Sequence, residues 1–168
     1  MKTYLIALTL LLGSNFIQAQ NFVIPQAPQL EVAEDYEKYH EDILKGIEWV
    51  LKTPLNKEVE KRNQFGEFFI KWIEGSAAVT IELHAGVLPF IESKPEMLIY
   101  FMYGWTQKSL KQEGKLSIEE GSYAGLEAVA NYYEQHKSLI GNDKSLNKIV
   151  KLNKKDQLME YIKKELKS

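Results

Sequence analysis

The chain has 168 residues, no cysteine and a formal charge of −2, from 21 lysine and arginine residues against 23 aspartate and glutamate residues. This near-neutral balance gives no electrostatic reason to expect nucleic acid as a partner. The absence of cysteine excludes disulfide bonds and the lipid-attachment cysteine of a bacterial lipoprotein. A chain of about 150 residues can bury a sufficient core without such links.

The first 19 residues have the layout of a secretory signal peptide. Lys2 supplies a short positive region, residues 4–12 are almost entirely apolar, and the small, polar stretch that follows places Ala19 at a suitable cleavage position. The apolar run is well short of the roughly 20 residues that span a bilayer, which argues against a membrane anchor. We therefore expect an exported, soluble protein, periplasmic or extracellular, with no transmembrane span after signal removal.

Residues 20–30 contain two prolines and no charge, which predicts an extended or disordered lead-in. Residues 31–168 are predicted to form a single helical domain. Over residues 32–52, apolar side chains recur at steps of three or four, as on one face of a helix. Thr53 and Pro54 then match an N-cap followed by proline at the first helical position, so a second helix is expected to reach Glu74.

The second half of the chain shows clearer helix boundaries. A start signal at residues 93–96 precedes a very apolar helix that is expected to end near Gln112. Ser117 and Glu120 match a capping box, and Gly141 is expected to end that helix. Small residues on it predict close packing by another helix: Gly121, Ser122, Ala124, Gly125 and Ala128. Two shorter helices, at residues 144–152 and 157–166, complete the chain.

The segment 77–91 fits two patterns. Val79, Ile81 and Leu83 alternate as in a strand, whereas Val79, Leu83 and Val87 equally suit a helix. A lone strand has no obvious pairing partner, so we predict a helix to about residue 88 that ends before Pro89. The expected fold is all-α, a single-domain helical bundle or a short array of antiparallel helix pairs with about six helices.

Arg62, the one arginine in the chain, falls on an apolar stripe of the second predicted helix. A guanidinium buried there requires a compensating carboxylate, and Glu82 and Glu127 are candidate partners. The alternatives are that Arg62 reaches the surface, or that it binds an anionic ligand, because planar bidentate recognition is characteristic of arginine.

The histidines His40, His84 and His136 do not follow the HExxH spacing that places two metal ligands on one helix turn. Glu82 and His84 share a face only if their segment is extended. On a helix they point about 200° apart. For each histidine a structural role is favoured, and we predict no catalytic residue, metal ligand or cofactor.

Aromatic residues cluster on the apolar helix, which predicts that it is buried in the centre of the domain. Tyr103 and Trp105, with Gly104 between them, could instead line a groove for a peptide, a glycan or a small apolar ligand. The sequence thus favours a non-catalytic binding or scaffolding protein whose partner is a protein, a glycan or a small apolar ligand. The alternative is a small helical enzyme or metal-binding protein with a site around Arg62, Glu82 and His84.

Overall fold

The computed structural model describes residues 22–112 and 115–167, so the predicted signal peptide lies outside the described residues. Over those residues it has seven α-helices and no strand, which confirms the all-α prediction. The helices are α1 (Ala33–Lys38), α2 (His40–Lys52), α3 (Val59–Gly75), α4 (Leu98–Lys111), α5 (Ile118–Ile140), α6 (Lys144–Asn153) and α7 (Leu158–Glu165). Single 3-10 turns at Ala85–Val87 and Pro95–Met97 precede α4.

Helix α5 is the centre of the bundle, since it packs extensively on α4 and also contacts α6 and α7. A Cβ atom added at Gly104 of α4 would overlap the Ala124 carbonyl oxygen and crowd the Ala128 side chain of α5. Nearby, Trp105 lies against Gly121 in the same way. Residues later in α4 contact residues earlier in α5, so the two helices run antiparallel. The prediction of close packing at the small residues is confirmed.

The ends of α5 are formed as the sequence predicts. The Ser117 side chain accepts a hydrogen bond from the Glu120 backbone N–H, and the Glu120 carboxylate accepts one from the Ser117 backbone N–H. This capping box satisfies two backbone donors that the first helical turn leaves free. At the other end, Gly141 adopts φ of 89°, a conformation that favours glycine.

The first predicted helix is divided in two at Tyr39. The Tyr36 carbonyl, near the end of α1, accepts a hydrogen bond of 2.9 Å from the buried indole N–H of Trp72 in α3. The Tyr39 N–H also bonds to the Tyr36 carbonyl, and α2 starts at His40. A tertiary contact that the sequence pattern does not reveal thus lies at the break.

The predicted start of the second helix is wrong. The Thr53 hydroxyl donates a hydrogen bond of 2.6 Å to the Trp49 carbonyl in the last turn of α2. Thr53 therefore belongs to the end of α2 and does not cap a new helix. Residues 53–58 form turns, and α3 begins only at Val59, after Glu58 in the left-handed region at φ of 48°. Thr53 and Pro54 therefore end one helix without starting the next.

The helix predicted over residues 77–88 is also wrong. Residues 79–84 have no regular structure, and only the 3-10 turn at Ala85–Val87 is helical. Val79 and Val87 of this segment are buried, and the Gly86 carbonyl accepts a hydrogen bond of 2.9 Å from the Tyr161 hydroxyl of α7. Anchoring to α7 takes the place of the pairing partner that an isolated strand would need.

Candidate functional site

A cavity of about 650 Å³ opens where the end of α2, the middle of α3, the start of α4 and the end of α5 meet. We call it the Arg62 pocket. Its apolar wall is formed by Val50, Leu55, Met97, Ile99, Leu139 and Ile140. Its polar wall is formed by Arg62, Asn63, Glu67, Lys94, Glu96, Tyr100, Tyr103 and Tyr132. Ligand sites in proteins commonly have this mixture of mainly apolar surface with a few convergent polar groups.

Arg62 reaches across from α3 to the end of α2. Its Nη1 donates to the Val50 carbonyl at 3.2 Å, and its Nη2 donates to the carbonyls of Thr53 and Pro54 at 2.9 Å each. The last carbonyls of a helix have no partner within the helix and carry partial negative charge, so a guanidinium stabilises them. Arg62 makes no ion pair with Glu82 or Glu127, and the prediction that it pairs with one of them is wrong.

Three tyrosines of the pocket come from two helices. Tyr100 and Tyr103 lie one turn apart on α4, and Tyr132 of α5 stacks on Tyr100 with 3.9 Å between ring centroids. All three are buried, and the Tyr132 hydroxyl lies beside that of Tyr100 without a hydrogen bond of good geometry. Burial raises the pKa of Tyr103 and of Tyr132 far above the usual value, so both hydroxyls stay protonated and available as donors.

His136 lies next to the pocket, on the turn of α5 that follows Tyr132. Its ring is 4.3 Å from that of Tyr132, and its Nε2 is buried without a hydrogen-bond partner. The backbone of α5 is kinked at this residue, with φ of −117° and ψ of 16°. Burial, followed by the positive charge of Arg62, lowers the pKa of His136. The imidazole is therefore neutral at neutral pH.

The floor and the rim of the pocket differ in polarity. At the floor, Gly66 leaves room for a small side chain, because a Cβ atom added there would make only an ordinary contact with Ile99 at 3.5 Å. At the rim, the ammonium group of Lys94 donates to the Ile140 carbonyl at 2.9 Å and lies 3.7 Å from the exposed Glu96 carboxylate. The rim is therefore charged and exposed to water, and the wall behind it is mainly apolar.

The residues predicted as site candidates lie in separate places. Arg62 and Tyr103 both line the Arg62 pocket, whereas Glu82 lines a separate small cavity of about 100 Å³ with Ser109 and Lys115. His84 lies beside Gly86, with a buried Nδ1 that has no hydrogen-bond partner. Trp105 is buried against α5 and lines none of these cavities. Gly104 gives α5 close access and also lines a second cavity of about 460 Å³, which neither Tyr103 nor Trp105 lines.

Sequence reasoning did not find Lys94 and Tyr132 as site residues. Lys94 belonged to a helix start signal, and Tyr132 was one of two adjacent tyrosines on a helix with many apolar residues. Neither has a spacing that indicates a site. They join Arg62 only through the packing of α5 on α4, so no local signal could have revealed them.

Within the described residues, no cluster of histidine, aspartate or glutamate has the geometry to hold a metal ion. No helix in that part of the chain is both long and apolar enough to span a bilayer. Comparison with protein-family models, with curated proteins and with solved structures finds no significant match. Any functional conclusion must therefore come from the chemistry of the chain itself.

Proposed function

We propose that this chain is an exported, non-catalytic binding protein that takes a small, mainly apolar ligand into the Arg62 pocket. The observation that carries the proposal is the cavity of about 650 Å³ with an apolar wall and a few inward polar groups. Its size lies within the roughly 300–1,000 Å³ of small-molecule sites. Because the pocket joins four helices of the bundle, its shape is set by the packing of the fold.

The enzyme hypothesis requires Arg62, Glu82 and His84 to converge on one cleft. Arg62 lines the pocket, Glu82 lies in a different groove, and His84 lies beside Gly86. Arg62 already donates three hydrogen bonds to backbone carbonyls, which is a structural role. The arrangement therefore favours binding over catalysis.

Binding can be tested with N-phenyl-1-naphthylamine, a neutral probe that fluoresces in apolar sites. A Gly66→Leu substitution projects a side chain into the pocket from an open position on α3. We expect it to abolish most of the fluorescence increase while the melting temperature stays at or above that of the unsubstituted protein. Lys151→Leu adds the same side chain at an exposed position of α6 and serves as the control. Equal probe binding by all three proteins would contradict the proposal.

Export rests on residues 1–19 and has its own test. Expressed with its natural N-terminus in a bacterium, the protein should be recovered from the periplasm or the medium. Intact mass spectrometry should show a chain that begins at Gln20, because cleavage is expected after Ala19. A full-length mass, or recovery from the cytoplasm alone, would refute export without affecting the binding proposal.

A further inference from the structure

We infer that the ligand of the Arg62 pocket is an amphiphile with a carboxylate head and a straight apolar chain. This inference rests on the proposed binding function and specifies the chemistry of the same site. The polar wall offers hydrogen-bond donors and positive charge to a bound head group, and the apolar wall offers a surface for a hydrocarbon chain.

The guanidinium of Arg62 supplies a positive charge that no carboxylate neutralises. It has five N–H donors, and three of them are used in hydrogen bonds to backbone carbonyls. Its Nε is buried without a partner. No described carboxylate forms an ion pair with it, although it lies partly buried on the pocket wall. A planar anion is the group that best satisfies such a cation.

The tyrosines add donors beside this charge. The Tyr132 side chain is almost fully buried, with 1% of its surface exposed, and its hydroxyl lies beside that of Tyr100 without a hydrogen bond of good geometry. A buried hydroxyl without a good hydrogen bond destabilises the free protein. A ligand oxygen that accepts a hydrogen bond from it therefore gains binding free energy. The Tyr103 hydroxyl lies 3.9 Å from the position of a Cβ at Gly66, so it faces α3, the helix that carries Arg62.

The acidic groups that line the pocket lie outside the buried donor set. Glu67 is exposed, and the Glu96 side chain is 60% exposed and lies beside Lys94. Charges in contact with water are screened, whereas a charge shielded from water by protein acts more strongly on its surroundings. The inner part of the pocket, away from these exposed carboxylates, therefore favours an anion. A cationic head near Glu67 and Glu96 is the alternative that the experiment must distinguish.

The apolar residues of the pocket are the reason for proposing a straight hydrocarbon chain on the ligand. Its apolar residues come from α2, the loop after α2, α4 and α5, and Leu139 keeps 49% of its surface exposed. Burying such surface against a hydrocarbon is favourable in proportion to its area. A flexible straight chain can follow a wall built from four separate segments more easily than a rigid ring system can.

Isothermal titration calorimetry with octanoate, octan-1-ol and octylamine compares an anionic, a neutral and a cationic head on the same chain. At pH 7.5 and low salt, we expect octanoate to bind at least about tenfold more tightly than octan-1-ol, a ratio that corresponds to about 1.4 kcal/mol. Octylamine should bind more weakly than either. Equal binding of octanoate and octan-1-ol, or tighter binding of octylamine, would overturn the inference.

Two substitutions connect the preference to named groups. Tyr132→Phe removes one hydroxyl and keeps the ring, so it should weaken octanoate severalfold and leave octan-1-ol unchanged. Tyr123→Phe on the same helix, outside the pocket, is its control. Arg62→Met should remove the preference for octanoate. A preference that survives both Tyr132→Phe and Arg62→Met would refute the assignment of these donors.

Failure of this inference and failure of the binding proposal give different results. If the naphthylamine probe binds and Gly66→Leu blocks it, but the three octyl compounds bind equally, the pocket is a binding site without a carboxylate preference. If Gly66→Leu blocks neither the probe nor octanoate, the pocket is not the binding site at all.

Discussion

Two glycines lie within helices in opposite surroundings, and they provide a direct test of the fold. A Cβ atom at Gly66 would meet only Ile99 at 3.5 Å and Tyr103 at 3.9 Å, which are ordinary contact distances. A Cβ atom at Gly104 would overlap the backbone carbonyl of Ala124 in the facing helix. The same substitution, glycine to alanine, should therefore have opposite effects at the two positions.

The magnitudes follow from helix propensity and from packing. Gly66→Ala should stabilise the protein by about 0.5–1 kcal/mol, because alanine in a helix interior loses less conformational entropy than glycine does. At Gly104 the same gain is opposed by overpacking, which costs about 1–3 kcal/mol and more where backbone atoms collide. The variants should differ by about 2 kcal/mol. In a chain of this size, each kcal/mol shifts the melting temperature by about 2–4 °C.

Urea unfolding followed by circular dichroism at 222 nm measures both effects. We expect a higher midpoint for Gly66→Ala, a lower midpoint for Gly104→Ala, and similar slopes for all three proteins. A Gly104→Ala midpoint at or above that of the unsubstituted protein would refute the close approach of α4 and α5. A lower midpoint for Gly66→Ala would refute the open floor of the Arg62 pocket.

Three further predictions concern a cap, a buried histidine and the arginine. Ser117→Ala should lower the free energy of unfolding by about 1 kcal/mol through loss of the capping box, and an unchanged urea midpoint would contradict this. The pKa of His136 is lowered from 6.5 by burial and by Arg62, so the folded state binds fewer protons than the unfolded state. The contribution of His136 to the free energy of unfolding is therefore fully present above about pH 6.5, and it decreases as the pH falls below that value. Urea unfolding at pH 7.5 and pH 5.5 should show this decrease, and His136→Gln should lessen it. Arg62→Met should cost about 1–3 kcal/mol because the carbonyls at the end of α2 lose their donor, and Arg62→Ala should cost more because it also removes volume. Equal stability of these two variants in urea would show that packing by this side chain is unimportant.

The features that the sequence predicted correctly are local ones. The start of α5 depends on two residues three positions apart, Ser117 and Glu120, and its end depends on Gly141. Its packing face depends on small residues spaced along one helix. Each of these signals acts within a few residues, so the pattern alone identifies the helix and the side that another helix approaches.

The errors occur where a hydrogen bond that the apolar pattern does not reveal decides the structure. Thr53 and Pro54 suit the start of a helix, but the Trp49 carbonyl takes the Thr53 hydroxyl, and Glu58 turns the chain before α3. Residues 77–88 have enough apolar side chains for a helix, yet the segment is held in another conformation by burial and by the bond from Tyr161 to Gly86. The pocket depends on residues far apart in the chain.

Arg62 shows how a structural role and a binding role can belong to the same side chain. The sequence indicated that its charge needs compensation, and the carbonyls at the end of α2 provide it through their partial negative charge. This compensation involves no carboxylate, so the guanidinium keeps its net positive charge beside the pocket. Deleting the side chain would disturb both roles together. Tyr132 lines the same pocket, and its hydroxyl has only that of Tyr100 beside it, without a hydrogen bond of good geometry, so its substitution by phenylalanine changes recognition while the fold is kept.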